Sequence, residues 1–493
     1  MLFRSRTDPD GLSETYEYDL TGKAWIKKTD RAGRVTSNSM NVFEKPILTV
    51  HPDGTTERFE YSAKGELIAS VDQAGNPTYY RYDAAGNMTA KWELIRKAGA
   101  GSEYRLKTMT YDEANRPIAS ETFLATAAGR PTIASQDAVS AKDRVVYRYD
   151  KAGRTVAIYG PGERETLHAY DQAGNLIKTH RKAGEGLDEI IRYTYDSRSR
   201  KISEILLVHT SDVANSQLAG AVFDKEYADR IHAATVYGYD ANGNVTSVKD
   251  PNGRTTRYEY DYDNRVTRKT DPADGETRYR YDAFGNLTQE TNANGIATRY
   301  EYDELNRVIR KIEPSAGSAS ATTRYVYDAA GNLIKQIEPN EYEPASDTPS
   351  GLSEMAGLVY TYDAMNRRTS TISPDGELIE AIAYDAKGRV RKVADGLRYN
   401  GNIDASSGTI YAYDGLGRVV KETDALGHSV AYEYDALDHV TRQTDRRGYV
   451  TEYAYNPDGT LARVAYPDGT SIRYTYDRLG RMQIGRASCR ERV

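Results

Sequence analysis

The residues able to do covalent or metal chemistry are few and scattered. The histidines, His51, His168, His180, His209, His232, His428 and His439, never fall at ligand spacing with a third ligand beside them, so no zinc site is expected. One cysteine, Cys489, excludes a disulfide framework and a multi-cysteine metal centre. Asp240-Ala241-Asn242-Gly243-Asn244 and Asp261-Tyr262-Asp263 faintly resemble calcium loops. Both lack the glycine at the sixth position and the distal glutamate that such a loop needs, and hairpin turns account for them. The 72 carboxylates could supply any number of acid–base pairs. Most recur at one turn position of a repeat, where a structural role explains them. Gly-x-Ser-x-Gly elbows and Gly-x-x-x-x-Gly-Lys-Ser/Thr phosphate loops are absent. No catalytic group, metal or cofactor is expected, and the chain reads as a non-enzyme. What stands out is tyrosine, 41 residues against 6 phenylalanines. A tyrosine-lined face could stack on sugar rings, but cross-strand tyrosine ladders that hold a wall together are the favoured reading.

The elements that position these tyrosines follow from a repeat. Tyr-x-Tyr-Asp occurs in thirteen copies, starting at Tyr16, Tyr80, Tyr147, Tyr193, Tyr237, Tyr258, Tyr279, Tyr300, Tyr325, Tyr360, Tyr411, Tyr432 and Tyr474. Worn copies end at Ser62, Asp112, Asp171, Asp385 and Asn456. The undisturbed period is 21 residues, as from Tyr237 through Tyr258 and Tyr279 to Tyr300. In the unit that starts at Arg278, Tyr279-Arg280-Tyr281 places both rings on one strand face and the arginine on the other. Asp282-Ala283-Phe284-Gly285 reads as a type I turn, with Gly285 in the left-handed region. A return strand follows, then a second turn at Asn292-Ala293-Asn294-Gly295. The candidate structural positions are therefore Tyr237, Tyr239, Asp240 and Gly243, then Tyr258, Tyr260 and Asp261, then Tyr279, Tyr281, Asp282 and Gly285. They continue through Tyr300, Tyr302 and Asp303 to Tyr325, Tyr327, Asp328 and Gly331, and then through Tyr411, Tyr413, Asp414 and Gly417 to Tyr432, Tyr434 and Asp435.

Each repeat is thus two short antiparallel strands and two tight turns, and the fold class is all-β. About 36 strands at ~4.8 Å spacing make a ribbon roughly 170 Å long. Right-handed twist favours a spiral over a flat sheet, and this much sheet could enclose part of a cavity. A single hairpin is marginal in water, so neighbouring repeats must stabilise one another. Longer connections run from Glu121 to Val146, Glu204 to Thr235, Glu338 to Val359 and Asp395 to Ile410. They read as extended hairpins or surface loops, and the second could hold a short helix or an extra strand. No composition shift marks a domain boundary.

Net charge is −6 with both signs interspersed, which excludes a nucleic-acid stripe. No run of ~18 apolar residues exists, so no transmembrane helix is expected. Met1 to Asp10 reads as the tail of a repeat rather than a signal peptide, and the export route is not legible there.

The pattern Tyr-x-Tyr-Asp-x-x-Gly-(Asn/Arg)-(Leu/Val), followed by Asp-Pro-x-Gly, resembles the YD repeat of Rhs proteins, wall-associated protein A-like toxins, Tc-toxin C components and teneurins. The resemblance covers about Thr7 to Gln483. It implies a spiral β-shell, in bacteria a hollow cocoon around a toxic C-terminal domain, acting outside the producing cell or at its surface. The implied partners are that toxin domain and a secretion-system or Tc-type protein. The alternative is a wall-associated adhesin whose tyrosines contact carbohydrate. The family's core segment, autoproteolytic site and variable toxin are not found in the sequence. Residues 1–483 are read as one continuous repeat array. Ile484 to Val493 resembles a translated sequencing adapter, which would leave Cys489 without a biological role. That tail is expected to lack regular structure and buried contacts, with the repeat at Tyr474 left as an open sheet edge.

Overall fold

A computed structural model describes residues 3–98, 101–131, 143–182, 188–207, 234–315, 320–476 and 480–488. Thirty-nine strands, most of five to seven residues, account for nearly all the regular structure. Among the described residues helix is confined to a 3-10 turn at Pro344–Ser346 and one α-helix at Pro349–Glu354, where Pro349 fits the first turn and Thr348 caps it.

The unit just before the one at Arg278 shows how the sequence makes the strands. Thr255–Tyr260 pairs antiparallel with Val266–Thr270, which pairs with Glu276–Tyr281. Along Thr255–Tyr260, Tyr258 and Tyr260 are half-buried while Arg257 and Glu259 are exposed, the alternation expected of one packed and one wet face. The first turn adds a feature the alternation does not reveal. Tyr260 lies opposite Val266 while Glu259 lies opposite Arg268, so Thr267 is an extra residue and the strand bulges there. The left-handed turn residue does not by itself impose it, since the second turn ends in left-handed Asp274, φ 64°, and the strands it joins pair without a shift. Gly285, Gly331 and Gly417 have φ of 91°, 92° and 91°, as the turn reading requires. Where glycine is missing at that position, Asn264, Asn306 and Asn366 adopt φ of 60–62°, at the smallest cost open to a residue with a side chain.

The described chain gathers into two compact units, each drawn from separated stretches of sequence. One comprises Met1–Thr108, Phe123–Ser140 and Thr298–Val450. In it, hairpin tips of a late stretch lie against tips and strands of an early one. Arg34 donates to Asn366 at 2.6 Å across 332 residues of sequence, and Lys387 pairs with Asp72 at 2.7 Å. Arg105 pairs with Asp438 at 2.9 Å, and the Gly415 N–H donates to the Ile95 carbonyl at 2.7 Å. In each of the pairs at Arg34 and Asp72, a second turn of the early stretch meets a first turn of the late one. The main apolar cluster, Ala90, Trp92, Leu94, Tyr104, Leu106 and Ala125, also belongs to this unit. It forms where the repeat's short strands lengthen to eleven residues, Met88–Ala98, Gly101–Tyr111 and Pro117–Ala127.

The other unit comprises Met109–Thr122, Ala141–Ala297 and Thr451–Val493. Its tips meet in the same way, with Arg164 paired to Asp458 at 2.9 Å. The expectation for its last residues is corrected here. Met482–Ser488 forms a strand antiparallel to Ser471–Tyr476, with Tyr474 opposite Gly485 and Ile472 opposite Ala487. The first residues of the Ile484–Val493 tail therefore do have regular structure, and the strand at Tyr474 is paired rather than open. An exposed edge offers a row of N–H and C=O groups, and backbone pairing satisfies them whatever the side chains that follow. Cys489 lies outside the described residues, as does most of the Glu204–Thr235 connection in which a helix or strand was considered.

Candidate functional site

The geometry that recurs is a clamp between successive repeats, and it starts at the turn aspartate. Asp261 accepts from the backbone N–H of Asp263 at 2.9 Å and of Arg265 at 3.0 Å through one carboxylate oxygen. Its other oxygen accepts from Arg265 Nε at 2.7 Å. So fixed, the guanidinium lies over the Tyr281 ring of the next repeat, 5.0 Å from its centroid. It also reaches the Asp282 carbonyl at 3.3 Å. The Tyr281 hydroxyl closes the circuit by donating to the Val266 carbonyl at 2.9 Å. One residue type therefore ties a turn to itself, while the next ties two repeats together.

The same parts recur along the chain. Arg154 over Tyr170, Arg200 over Tyr239, Arg307 over Tyr327, Arg389 over Tyr413 and Arg418 over Tyr434 all lie at 4.5–4.8 Å. The hydroxyl bond survives where asparagine replaces the arginine. Asn244 donates to Asp240 at 2.9 Å, and Tyr260 still donates to the Val245 carbonyl at 2.8 Å. Tyr239, Tyr327, Tyr413 and Tyr434 donate in the same way to the carbonyls of Lys201, Val308, Val390 and Val419.

Electrostatics follow from these contacts. The Arg265 backbone N–H holds the Asp261 carboxyl below the usual range, and the Asn244 and Asn286 side chains do the same for Asp240 and Asp282. Burial pushes the phenols of Tyr260, Tyr281, Tyr327, Tyr413 and Tyr434 up. The two calcium-like stretches are explained by the same turns, since Asp240 and Asp261 spend their carboxylates on their own turns and Asp263 pairs with Arg265 at 3.0 Å.

Of the candidate positions, the second tyrosines and the aspartates meet in this clamp, and the glycines set its turn. The first tyrosines, such as Tyr258 and Tyr279, sit further along the same strand face. Sequence reasoning did not assign the residue four after the aspartate. Its alternation between Arg and Asn was the available signal, because both can reach back to the carboxylate while only one can stack.

In the first unit the non-tyrosine face is covered locally by the longer connections. Asp347, only 6% exposed in its side chain, accepts from Tyr342 at 2.7 Å, from Arg324 at 3.1 Å and from Arg310. Lys335 donates to the carbonyls of Leu352 and Ser353, which fastens the short helix to the sheet. Among the described residues no three His, Cys, Asp or Glu side chains converge as metal ligands, and no helix is long and apolar enough to cross a membrane.

Comparison with known proteins adds the following. The family model described as RHS Repeat matches residues 61–91, 149–185, 239–277, 260–297, 281–318, 384–429, 413–450, 434–470 and 455–488, together just over half the chain. Toxin protein Tse5 of Pseudomonas aeruginosa strain PAO1 is 33% identical over 156 residues, 30% of this chain and 11% of that protein. Double-stranded DNA deaminase toxin A of Burkholderia cenocepacia strain H111 is 25% identical over 297 residues, 54% of this chain and 20% of that one. The chain thus spans a fifth or less of these curated relatives. Among solved structures, TcdB2-TccC3 has a TM-score of 0.58 at 13% identity, over 95% of this chain and 30% of that chain. TcdB2-TccC3-Cdc42 has a TM-score of 0.54 at 12% identity, over 95% of this chain and 32% of that chain. At these identities the likeness is one of fold.

Proposed function

The chain belongs to the RHS repeat family, and from that premise we propose that it is a length of structural β-shell that encloses a toxic domain of the same polypeptide until delivery. The observation that carries this reading is the seating of hairpin tips against an earlier stretch of the same ribbon, as Arg34 meets Asn366 and Asp72 meets Lys387 in the first unit. A ribbon that seats on itself is closing a wall. The clamp stiffens that wall, because where arginine follows the turn, as at Arg265 and Arg418, the next second tyrosine is fixed both by its ring and by its hydroxyl. The function is then steric: the wall keeps an effector from the producing cell's own targets, and the array itself performs no covalent chemistry. The curated relatives above carry the word toxin in their names, which supports a toxin as the cargo. Such a protein acts after secretion or at the cell surface, and a secretion-system or Tc-type protein is its natural delivery partner.

The adhesin alternative needs tyrosine rings free to stack on a sugar. Arg265, Arg389 and Arg418 lie over the rings of Tyr281, Tyr413 and Tyr434, and these three spend their hydroxyls on backbone carbonyls, which favours the wall.

The test is expression of the complete natural gene product in a host lacking any immunity protein, with and without the repeat array. Intact repeats are expected to keep host growth near normal and to protect the downstream domain from added protease. Equal toxicity and equal digestion with and without the repeats would sink the reading.

A further inference from the structure

In the first unit the seat between two stretches of ribbon follows one pattern. The first turn at residues 363–366 touches two successive second turns of the early stretch. Asn366 accepts from Arg34 at 2.6 Å, and Arg367 pairs with Asp53 at 3.5 Å. One repeat on, Lys387 of the next first turn reaches Asp72 of the next second turn at 2.7 Å. The seat thus advances in step along both stretches, one turn per repeat. Seating covers the apolar residues at these tips: Met365 and Leu416 are half-buried, and Ala436 is only 1% exposed.

In the second unit, residues 234–297 carry the same two edges, and both are exposed. On the first-turn edge Tyr262 is fully exposed at the position where Ala436 is buried, and Phe284 is 85% exposed at the position of Met365 and Leu416. The edge is continuous, since Asn244 donates to Asn264 at 2.7 Å and Arg265 reaches the Asp282 carbonyl at 3.3 Å. Asn264 is the counterpart of Asn366. Both have positive φ, and both accept from the asparagine of the first turn before, Asn332 donating to Asn366 at 2.8 Å. Asn366 also accepts from Arg34, the contact that makes the seat. On the second-turn edge Arg254 stands four residues after Asp250, as Arg34 stands four after Asp30, and it is exposed. Ile296 holds the same place after Asn292 and is 47% exposed, while Pro251 and Pro272 are exposed at the tips.

One stretch therefore holds both halves of the seat. Exposed apolar side chains in a row, set among polar turn residues, mark an interaction surface. A second copy of the chain supplies the matching row. The first turns begin at Asp240, Asp261 and Asp282 and the second turns at Asp250, Asp271 and Asn292, each 21 residues apart, so tips and notches stay in register. We propose that the first-turn edge of one copy, at Tyr262, Asn264 and Phe284, docks on the second-turn edge of another, at Arg254 and Ile296. Arg254 meets Asn264 as Arg34 meets Asn366, and Ile296 covers the aromatic tips. The contact is head-to-tail, so a pair of copies still presents one edge of each kind and can grow. It goes beyond the shell reading and does not depend on an enclosed cargo.

The experiment is sedimentation velocity of the 493-residue chain, at concentrations from about 1 to 100 μM. The sedimentation coefficient of the parent is expected to rise with concentration. Tyr262→Ser with Phe284→Ser blunts one edge, and Arg254→Ser with Ile296→Ser blunts the other. All four side chains are exposed, so both variants should fold as the parent does, which circular dichroism checks. Each variant alone is expected to associate about tenfold or more weakly. Mixed in equal amounts, the two are expected to form dimers and nothing larger, because each keeps one intact edge. A parent that stays monomeric throughout would overturn the proposal. So would association that both variants retain, which would put the contact at exposed strand edges instead. A mixture no larger than its separate components would also overturn it, because a head-to-tail contact requires the two intact edges to meet.

Discussion

At the scale of single residues the chain is a set of assignments repeated many times. The aspartate closes its turn, the residue four later returns to it, and the second tyrosine of the next copy locks to the strand behind. Tyr281→Phe keeps the ring beneath Arg265 and removes only the hydroxyl donor to the Val266 carbonyl. It should cost about 0.5–1.5 kcal/mol, read as faster hydrogen exchange in peptides spanning residues 261–291, because repeat arrays open locally. Unchanged exchange there would show that the hydroxyl contributes nothing. Gly285→Ala should cost about 1 kcal/mol. Its Cβ would meet only Arg265 Nη1 at 3.8 Å, so the penalty belongs to the positive φ and not to a clash.

The pH dependence also follows residue by residue. Asp240, Asp261 and Asp282 have folded values below the ordinary carboxylate, so their contribution is complete above about pH 4 and is lost as pH falls through the lower folded values. Tyr260, Tyr281 and Tyr434 have raised folded values, so their contribution is complete below about pH 10 and is lost as pH rises through those values. Far-UV circular dichroism against pH should show a plateau bounded at both ends. An array that stays folded well into the alkaline range while its second tyrosines ionise would contradict the buried clamp.

At the scale of elements, the hairpins were legible because alternation, turn residues and a fixed period all point the same way. The turn at Asp282–Gly285 and the strand pair around Tyr258 and Tyr260 could be read from residue types alone. The bulge at Thr267 could not, because the second turn carries the same kind of left-handed residue and its strands pair without a bulge. Nor could the latch at Asp347, since nothing in sequence brings Arg310 and Arg324 to a loop 37 and 23 residues away. Asp347→Asn removes the charge those two guanidiniums share, and it should open residues 338–357 to limited proteolysis while leaving the neighbouring strands protected. Identical cleavage of variant and parent would show that the helix and Lys335 alone hold the loop. The strand at Met482–Ser488 teaches the complementary point: backbone pairing recruits a segment whose side chains give no strand signal, so composition alone was a poor guide to its structure.

At the scale of the whole molecule, the repeat supplies the wall and the departures from it supply whatever is particular to this chain. Uniform copies give strength through neighbours, each marginal alone. The longer strands of Met88–Ala127 and the loop at Asp347 both sit where the period breaks, which is where a function beyond enclosure would have to be built. Enclosure is the central claim, and it is tested most directly by cryo-electron microscopy of the complete natural gene product. The shell reading predicts that the antiparallel sheet surrounds density belonging to the downstream domain. A downstream domain tethered in solvent outside the sheet, with the space bounded by the repeats empty, would contradict it.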